Sequence, residues 1–581
     1  LLRKSKNKTE FPTINYGREF CFFFMESCLI HFLLLLFYMA DKKFIVAIGG
    51  TGMRCLESFV HLCAIGMFDK EEINILTLDT DQTNGNKNRV EQLIDTYNHI
   101  KSADSTEIDG GTPNAETFFS AKINLYKFFT DYSATNRSTY ANLAQLSSGD
   151  SEVQRDNQDL SDLFLEKDTV QDFKLDHGYR AQTHLGSYLM YNGIVEAAKK
   201  LRAGAANLKE EEKSFGEFLH KLLGASSNAR VFVFGSVFGG TGASSIPIVP
   251  VAFRDAISIL DGKSTLDLKT VKFGATLLTE YFKFHKPTEA ERKEEHVIAD
   301  SDFFAINSQA ALQFYQGDPT VKMCYRRLYH VGWPLDSKSL DGSDQETIKT
   351  ETGGANQKNN CHVAELICAC AAYDFFNIED NKLGNNKAQY LYRSAPFDGS
   401  NFSFDGSDFV GTDKDKFENA LGAFFSFAHI ILGKQGGALT SKGTKGLVDR
   451  LVEQKIEDYK NIPLDQLKEI DQYFQMFGYT YEGKILIPGW IYQIYDSVKP
   501  GKFIFKSSAF DEKNILDVDP GDIFEDERHR WEKPIIGNRY DTFIKSMIKS
   551  VPSDQQKANT MKEKLLAHMY KAITDAQKTK K

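Results

Sequence analysis

Two glycine-rich stretches, each placed directly after a short apolar run, carry the residue types in this chain best suited to holding an anion. The first run, Phe44-Ile45-Val46-Ala47-Ile48, leads into Gly49-Gly50-Thr51-Gly52. The second, Val231-Phe232-Val233-Phe234-Gly235-Ser236-Val237, leads into Phe238-Gly239-Gly240-Thr241-Gly242-Ala243-Ser244-Ser245. A strand, a glycine turn and a helical pattern in succession make a phosphate cradle. Glycine lets the backbone approach the anion, and the helix start offers free N–H groups and the positive end of its dipole. One such loop is common. Two in one domain, the second ending in Thr-Gly-Ala-Ser, narrow the field sharply.

A third group of chemical interest ends the next apolar run: Asp79 and Asp81 in Ile75-Leu76-Thr77-Leu78-Asp79-Thr80-Asp81-Gln82. Strand C-termini in open α/β sheets face the ligand crevice. An acidic group there can hold a ribose hydroxyl or, through water, a magnesium ion; the plainer alternative is a solvated strand end.

These loops need a sheet to position them, and the pattern from Met39 to about Phe376 supplies one by alternating strand and helix. Strands are expected at 43–48, 73–78, 230–237, 271–278 and 326–332, with helices after each loop and an apolar helix at 360–376. The stretch between Asp81 and Leu175 is polar, and it is expected to be a mostly helical insertion, including Val90–Lys101 and Ala115–Thr130. After Asn377 the texture changes, and residues 385–581 are expected to form a smaller α+β domain, with strands at Ile485–Tyr495 and Lys502–Lys506. The stripe Met561, Leu565, Leu566, Met569, Tyr570 and Ile573 marks a terminal helix docked on the core.

With 581 residues, two domains and a leader are expected. The net charge of -9 argues against a nucleic-acid partner. The eight cysteines include no Cys-x-x-Cys pair and no accompanying histidine set, so they read as reduced, buried thiols of a cytoplasmic protein, with no metal site. Residues 1–38 turn apolar from Phe20 to Tyr38, but Glu26 and His31 interrupt the run; Met39 reads as the natural start, and any membrane contact as indirect.

The order of loops resembles the tubulin/FtsZ superfamily, in particular the bacterial tubulin-like proteins, over about residues 43–380. The superfamily signature Gly-Gly-Gly-Thr-Gly-Thr/Ser-Gly is matched by Phe238-Gly239-Gly240-Thr241-Gly242-Ala243-Ser244, where the first glycine is Phe and the last is Ser. The fold class implied is α/β: a Rossmann-like parallel sheet of the tubulin/FtsZ GTPase type with a divergent C-terminal α+β domain. By the resemblance, the N–H groups from Gly240 to Ala243 and the Thr241 hydroxyl hold the β- and γ-phosphates of GTP, and Gly49, Gly50, Thr51 and Gly52 the α- and β-phosphates. Asp79 and Asp81 match an acidic stretch after the second strand, Arg180 the γ-phosphate-sensing loop, and Asn356 or Asn360 the base-pairing position ahead of the central helix. N-capping by Asn359 or Asn360 is the alternative there. Glu379 and Asp380 fall where the family places the acids that act on the next subunit's nucleotide, though the full Asn-x-Asp-x-x-Asp spacing is missing. The resemblance thus implies GTP, with magnesium, and a homo-oligomer or filament in a bacterial cytoskeletal, membrane-remodelling or stress-related assembly.

Two other classes remain. Gly50-Thr51-Gly52 with Asp79 gives the outline of an NAD-dependent oxidoreductase, but Cys55 stands at the third glycine position and the second loop has no role. A nucleotide-bound scaffold that does not hydrolyse is the third reading. No Gly-x4-Gly-Lys-Ser/Thr exists, which excludes a P-loop NTPase.

Overall fold

The computed structural model describes residues 42–68, 71–102, 117–129, 163, 179, 183–282, 288–294, 300–333, 353–384, 387–394, 406–432, 468–477, 490 and 565–572. In chain order the elements that matter are β1 (Lys42–Ile48), α1 (Gly49–Ala64), β2 (Glu72–Asp79), α2 (Gly85–Ser102), β3 (Lys122–Phe129), α3 (Thr183–Arg202) and α4 (Glu210–Ala225). Then follow β4 (Ala229–Phe234), α5 (Gly240–Ser245), α6 (Val249–Asp261), β5 (Lys272–Leu278), α7 (Phe304–Gly317), β6 (Tyr325–Gly332), α8 (Val363–Asn377), β7 (Gln389–Ser394), α9 (Lys414–Leu432) and α10 (Lys468–Phe477).

The strands form one parallel sheet in the order β3-β2-β1-β4-β5-β6-β7. A parallel sheet buried on both faces calls for continuous apolar strands. β1, β2, β4 and β5 meet this, with nearly every residue buried. Alternate residues serve opposite layers. Phe44, Val46, Ile48, Val231 and Val233 pack with Leu189 of α3, Phe218 of α4 and Phe253 of α6. Ile45, Ala47, Phe232 and Phe234 pack on the other face with Phe59 of α1, Ile94 of α2 and Leu366 of α8. The fold is therefore α/β and Rossmann-like, helices covering both faces. Among the described residues no helix is long and apolar enough to cross a membrane.

Three expectations need correction. Ala115–Thr130 is not helical: Lys122–Phe129 is strand β3, paired with β2 from Glu72–Lys122 to Asp79–Phe129. Its sequence, KINLYKFF, is rich in β-branched and aromatic residues, and edge pairing decides the outcome over the weak helical period. The second difference lies at the 384/385 boundary. β7 continues the sheet on β6 from Arg327–Gln389 to Gly332–Ser394. Beyond it, Phe424, Phe427, Tyr473, Trp490, Leu565 and Met569 join the same apolar layer as α1 and α2. Phe118 stacks on Phe427 at 4.8 Å, and Trp490 Nε1 donates to Ser58 Oγ of α1 at 3.0 Å. The described elements after 385 thus share the core of the sheet domain. Third, β4 ends at Phe234, short of 237, as the chain turns into the glycine loop. The leader 1–38, the strand expected at 502–506 and, apart from residue 490, the strand expected at 485–495 lie outside the described residues.

Candidate functional site

β1 lies between β2 and β4, so chain order reverses at that point, and the crevice outside the carboxyl ends of these strands is where an open α/β sheet takes a ligand. Both glycine loops open there, one after β1 and one after β4. They touch. Gly49 has φ +66°, and a Cβ on it would stand 3.1 Å from Thr241 Cβ. Neither Ile48 ahead of α1 nor Gly239 ahead of α5 supplies a side-chain cap, so the first-turn N–H groups are left to other acceptors.

The loop residues divide into a rim and a footing. Gly50, Thr51, Gly239, Gly240 and Thr241 are half-buried and form the rim. Gly52 is footing: a Cβ there would lie 2.6 Å from the Phe234 carbonyl oxygen, which seats α1 against β4. A Cβ on Gly242 would lie equally close to the Ser236 carbonyl oxygen, at 2.6 Å. Ala243 accepts the Tyr315 hydroxyl on its carbonyl, and the Ser244 carbonyl accepts from Ser187 Oγ at 2.7 Å. These two bind the loop to α7 and α3 and take no part in the rim.

At the end of β2, Asp79 Oδ1 accepts from the Thr80 N–H at 2.8 Å and the Asp81 N–H at 3.3 Å. Its Oδ2 is buried without a hydrogen-bond partner among the described residues, as is Thr80 Oγ1. Burial first, then the neighbouring Asp81, pushes the Asp79 carboxyl up to about 7. Asp81 is fully employed: Oδ1 accepts from Thr83 at 3.0 Å and Oδ2 from the Gly354 N–H. That last bond ties the 353–360 segment to the site.

A seam of carboxamides continues the attachment. Asn84 caps α2 by accepting from the N–H groups of Asn86 and Lys87, and its Nδ2 donates to Gln357 Oε1. Asn86 and Asn359 bond reciprocally, at 2.8 and 3.1 Å. Gln357 Oε1 lies over the first loop, 2.7 Å from where a Gly50 Cβ would be. Asn356 and Asn360, the expected base-pairing residues, are both exposed. Neither Asn359 nor Asn360 caps α8. His362 does so, accepting from the Ala364 N–H on Nδ1 while Glu365 accepts from the His362 N–H.

Beneath the seam, α1, α2 and α8 are joined by a buried ionic cluster. Arg54 pairs with Glu57 at 2.8 Å and Glu365 at 3.2 Å, Arg89 pairs with Glu57, and Tyr281 donates to Glu365 at 2.7 Å. Burial opposes ionisation of Glu57, but Arg89 and Arg54 outweigh it and hold its carboxyl at about 2. Burial dominates at Glu365, pushing it up against the pull of Arg54. The Cys361 thiol beside them is likewise pushed up by burial, so it stays a thiol.

Glu379 and Asp380 are at the other end of the sheet. Asp380 pairs with Arg230 and Lys272, at the starts of β4 and β5, a strand length or about 20 Å from the loops. Arg180 lies outside the described residues. No group of three or more His, Cys, Asp or Glu that could hold a metal ion occurs among the described residues.

Comparison of the chain with protein-family models, curated proteins and solved structures finds no match. Its function has to follow from its own geometry. Sequence reasoning missed the carboxamide seam and the Arg54–Glu57–Arg89–Glu365 cluster. The signal for the first was present in Asn84-Gly85-Asn86, a helix start directly after the acidic strand end. No sequence signal could pair Arg54 with Glu365 across 311 residues.

Proposed function

We propose that this chain is a guanine-nucleotide-binding protein of the tubulin/FtsZ type, a slow GTPase whose turnover depends on self-association. The observation that carries the reading is the contact of Gly49 with Thr241, which makes one cradle of two glycine loops. A single dinucleotide fingerprint gives no reason for the second loop. The rim N–H groups of Gly50, Thr51, Gly240 and Thr241, with the two threonine hydroxyls, donate to phosphate oxygens. Asp79 Oδ2, at the end of β2, is the buried carboxylate oxygen without a hydrogen-bond partner among the described residues, and Asp81 is spent on Thr83 and Gly354. Magnesium is commonly held by one or two carboxylates plus substrate phosphates, so Asp79 together with GTP suits that ion, and its charge favours ionised Asp79. Exposed Asn356 and Asn360 remain the candidates for the guanine edge.

The test is titration of the chain with GTP, ATP and NAD, with and without magnesium, while light scattering is followed in the same samples. Selective, magnesium-dependent GTP binding with added scattering is expected. Preference for NAD overturns the reading in favour of an oxidoreductase. GTP binding without scattering or hydrolysis makes the protein a nucleotide-bound scaffold.

A further inference from the structure

The large apolar side chains left in water among the described residues are not scattered. Apart from Leu163 they are Phe303, Ile306, Phe314, Met323, Tyr390 and Tyr392, each 38% to 65% exposed. Phe303 at the start of α7, then Ile306, Ala310 and Phe314, all exposed, recur at the three- and four-residue spacing of one helix stripe. α7 carries no charged residue from Phe304 to Gly317. Its inner side packs through Tyr315, Ala311 and Leu312 in the layer of α3, α4 and α6. Met323 lies in the short helix Pro319–Cys324, which leads from α7 into β6. Tyr390 and Tyr392 stand two apart on β7 and so share a face of the sheet. That face is the one α7 covers: Tyr390 pairs with Leu328 of the same layer, and its hydroxyl donates to the Tyr315 carbonyl at 3.2 Å.

β7 is the last strand of the sheet, and no strand among the described residues pairs with its outer side. Such an edge offers N–H and C=O groups to another chain unless charge or proline blunts it. The opposite edge strand, β3, carries Lys122 and Lys127. β7 has a single charge, Arg393, and that side chain is held by its own chain. It donates to the Phe409 carbonyl at 3.0 Å and pairs with Asp374 at 3.4 Å.

We propose that the β7 edge and the α7 stripe form the interface of a two-fold dimer of this chain, in which β7 pairs antiparallel with β7 of a second copy. A dyad through Leu391 sets Tyr390 of each copy opposite Tyr392 of the other, giving aromatic cross-strand pairs on one face. The same register brings both α7 helices to that face of the joined sheet. A second copy is the occupant because α7 offers no charge by which to select a foreign partner, while the tyrosines match their own kind. The area suffices. Half-exposed side chains of this size leave on the order of 100 Å² each in water, so the six leave about 600 Å² per copy. Two copies then bury about 1,200 Å² before the strand edges are added, the lower limit of a specific interface. The contact is isologous and brings no residue to the glycine loops, so it forms without nucleotide.

The experiment is sedimentation equilibrium of the full chain without nucleotide, over a range of protein concentrations, with circular dichroism of each variant. The wild type is expected to dimerise. Tyr392→Lys puts a charge in the seam and is expected to raise the dimer dissociation constant about a hundredfold, and Phe314→Glu about tenfold, with the wild-type fold kept. Should Tyr392→Lys fail to fold, Phe314→Glu decides. A mixture of Tyr390→Cys and Tyr392→Cys chains is expected to cross-link under mild oxidation faster than either chain alone; equal rates overturn the dyad at Leu391. A wild-type chain that stays monomeric, or a dimer that neither charged substitution weakens, overturns the proposal. So does assembly that appears only when GTP is added.

Discussion

The two ends of the sheet are built on opposite rules. At the carboxyl end, glycine stands where a side chain would collide, the starts of α1 and α5 lack side-chain caps, and Asp79 Oδ2 and Thr80 Oγ1 are buried without partners among the described residues. At the amino end, Arg230 and Lys272 occupy both oxygens of Asp380, and Arg230 also holds the carbonyls of Phe375 and Phe376 in α8 and of Ile378 just after it. Buried polar groups without partners cost stability, and a fold keeps them where a ligand meets the need. The amino end serves stability and the placement of one turn; the carboxyl end is left incomplete.

The sharpest way to break this comparison is to fill the rim without disturbing its footing. Gly50→Val meets the flexible end of Gln357 and, in ordinary contact, the Asn86 carboxamide, so the chain should fold, while GTP affinity should fall at least about a hundredfold, or about 2.7 kcal/mol. Gly52→Val meets backbone and should unfold the domain instead. Titration and thermal melts on the pair separate rim from footing.

Asp79→Asn gives the next largest effect and opposes stability to function. The folded carboxyl is raised to about 7 from its ordinary value near 3.8. Its contribution is therefore fully present below pH 3.8 and is lost as pH rises to 7. Above pH 7 the cost reaches at most about 4 kcal/mol. Urea unfolding from pH 5 to 8 should show the wild type losing stability with rising pH and the variant losing much less, while the variant binds magnesium–GTP more weakly.

At the amino end the expectation reverses. Arg230→Met leaves three carbonyls and Asp380 Oδ1 without their donor and should cost about 3 kcal/mol of unfolding free energy with no change in GTP affinity. Altered affinity would join the two ends and blur the distinction. The smallest effect is at the seam: Gln357→Ala, which frees space over Gly50, should change affinity less than about tenfold in calorimetry.

The strands and both glycine loops were legible because parallel strands are continuous apolar runs and glycine turns punctuate them. β3 was not, since Lys122–Phe129 becomes a strand through its pairing with β2, a non-local event. β7 was assigned to another domain because its alternating half-exposed pattern belongs to an edge strand and looks unlike the buried centre. At the site, residue types pointed to the loops and to Asp79, but not to which loop residues form the rim. That division depends on how close Phe234 and Ser236 come to Gly52 and Gly242, a distance written in the packing alone.

The most direct test of the central claim, one cradle made of two loops, is GTP binding by the wild type, Gly50→Val and Thr241→Trp side by side. The account predicts that either change alone abolishes binding of the same nucleotide. A ligand lost in Gly50→Val but bound with full affinity by Thr241→Trp would contradict it and leave a one-loop dinucleotide site.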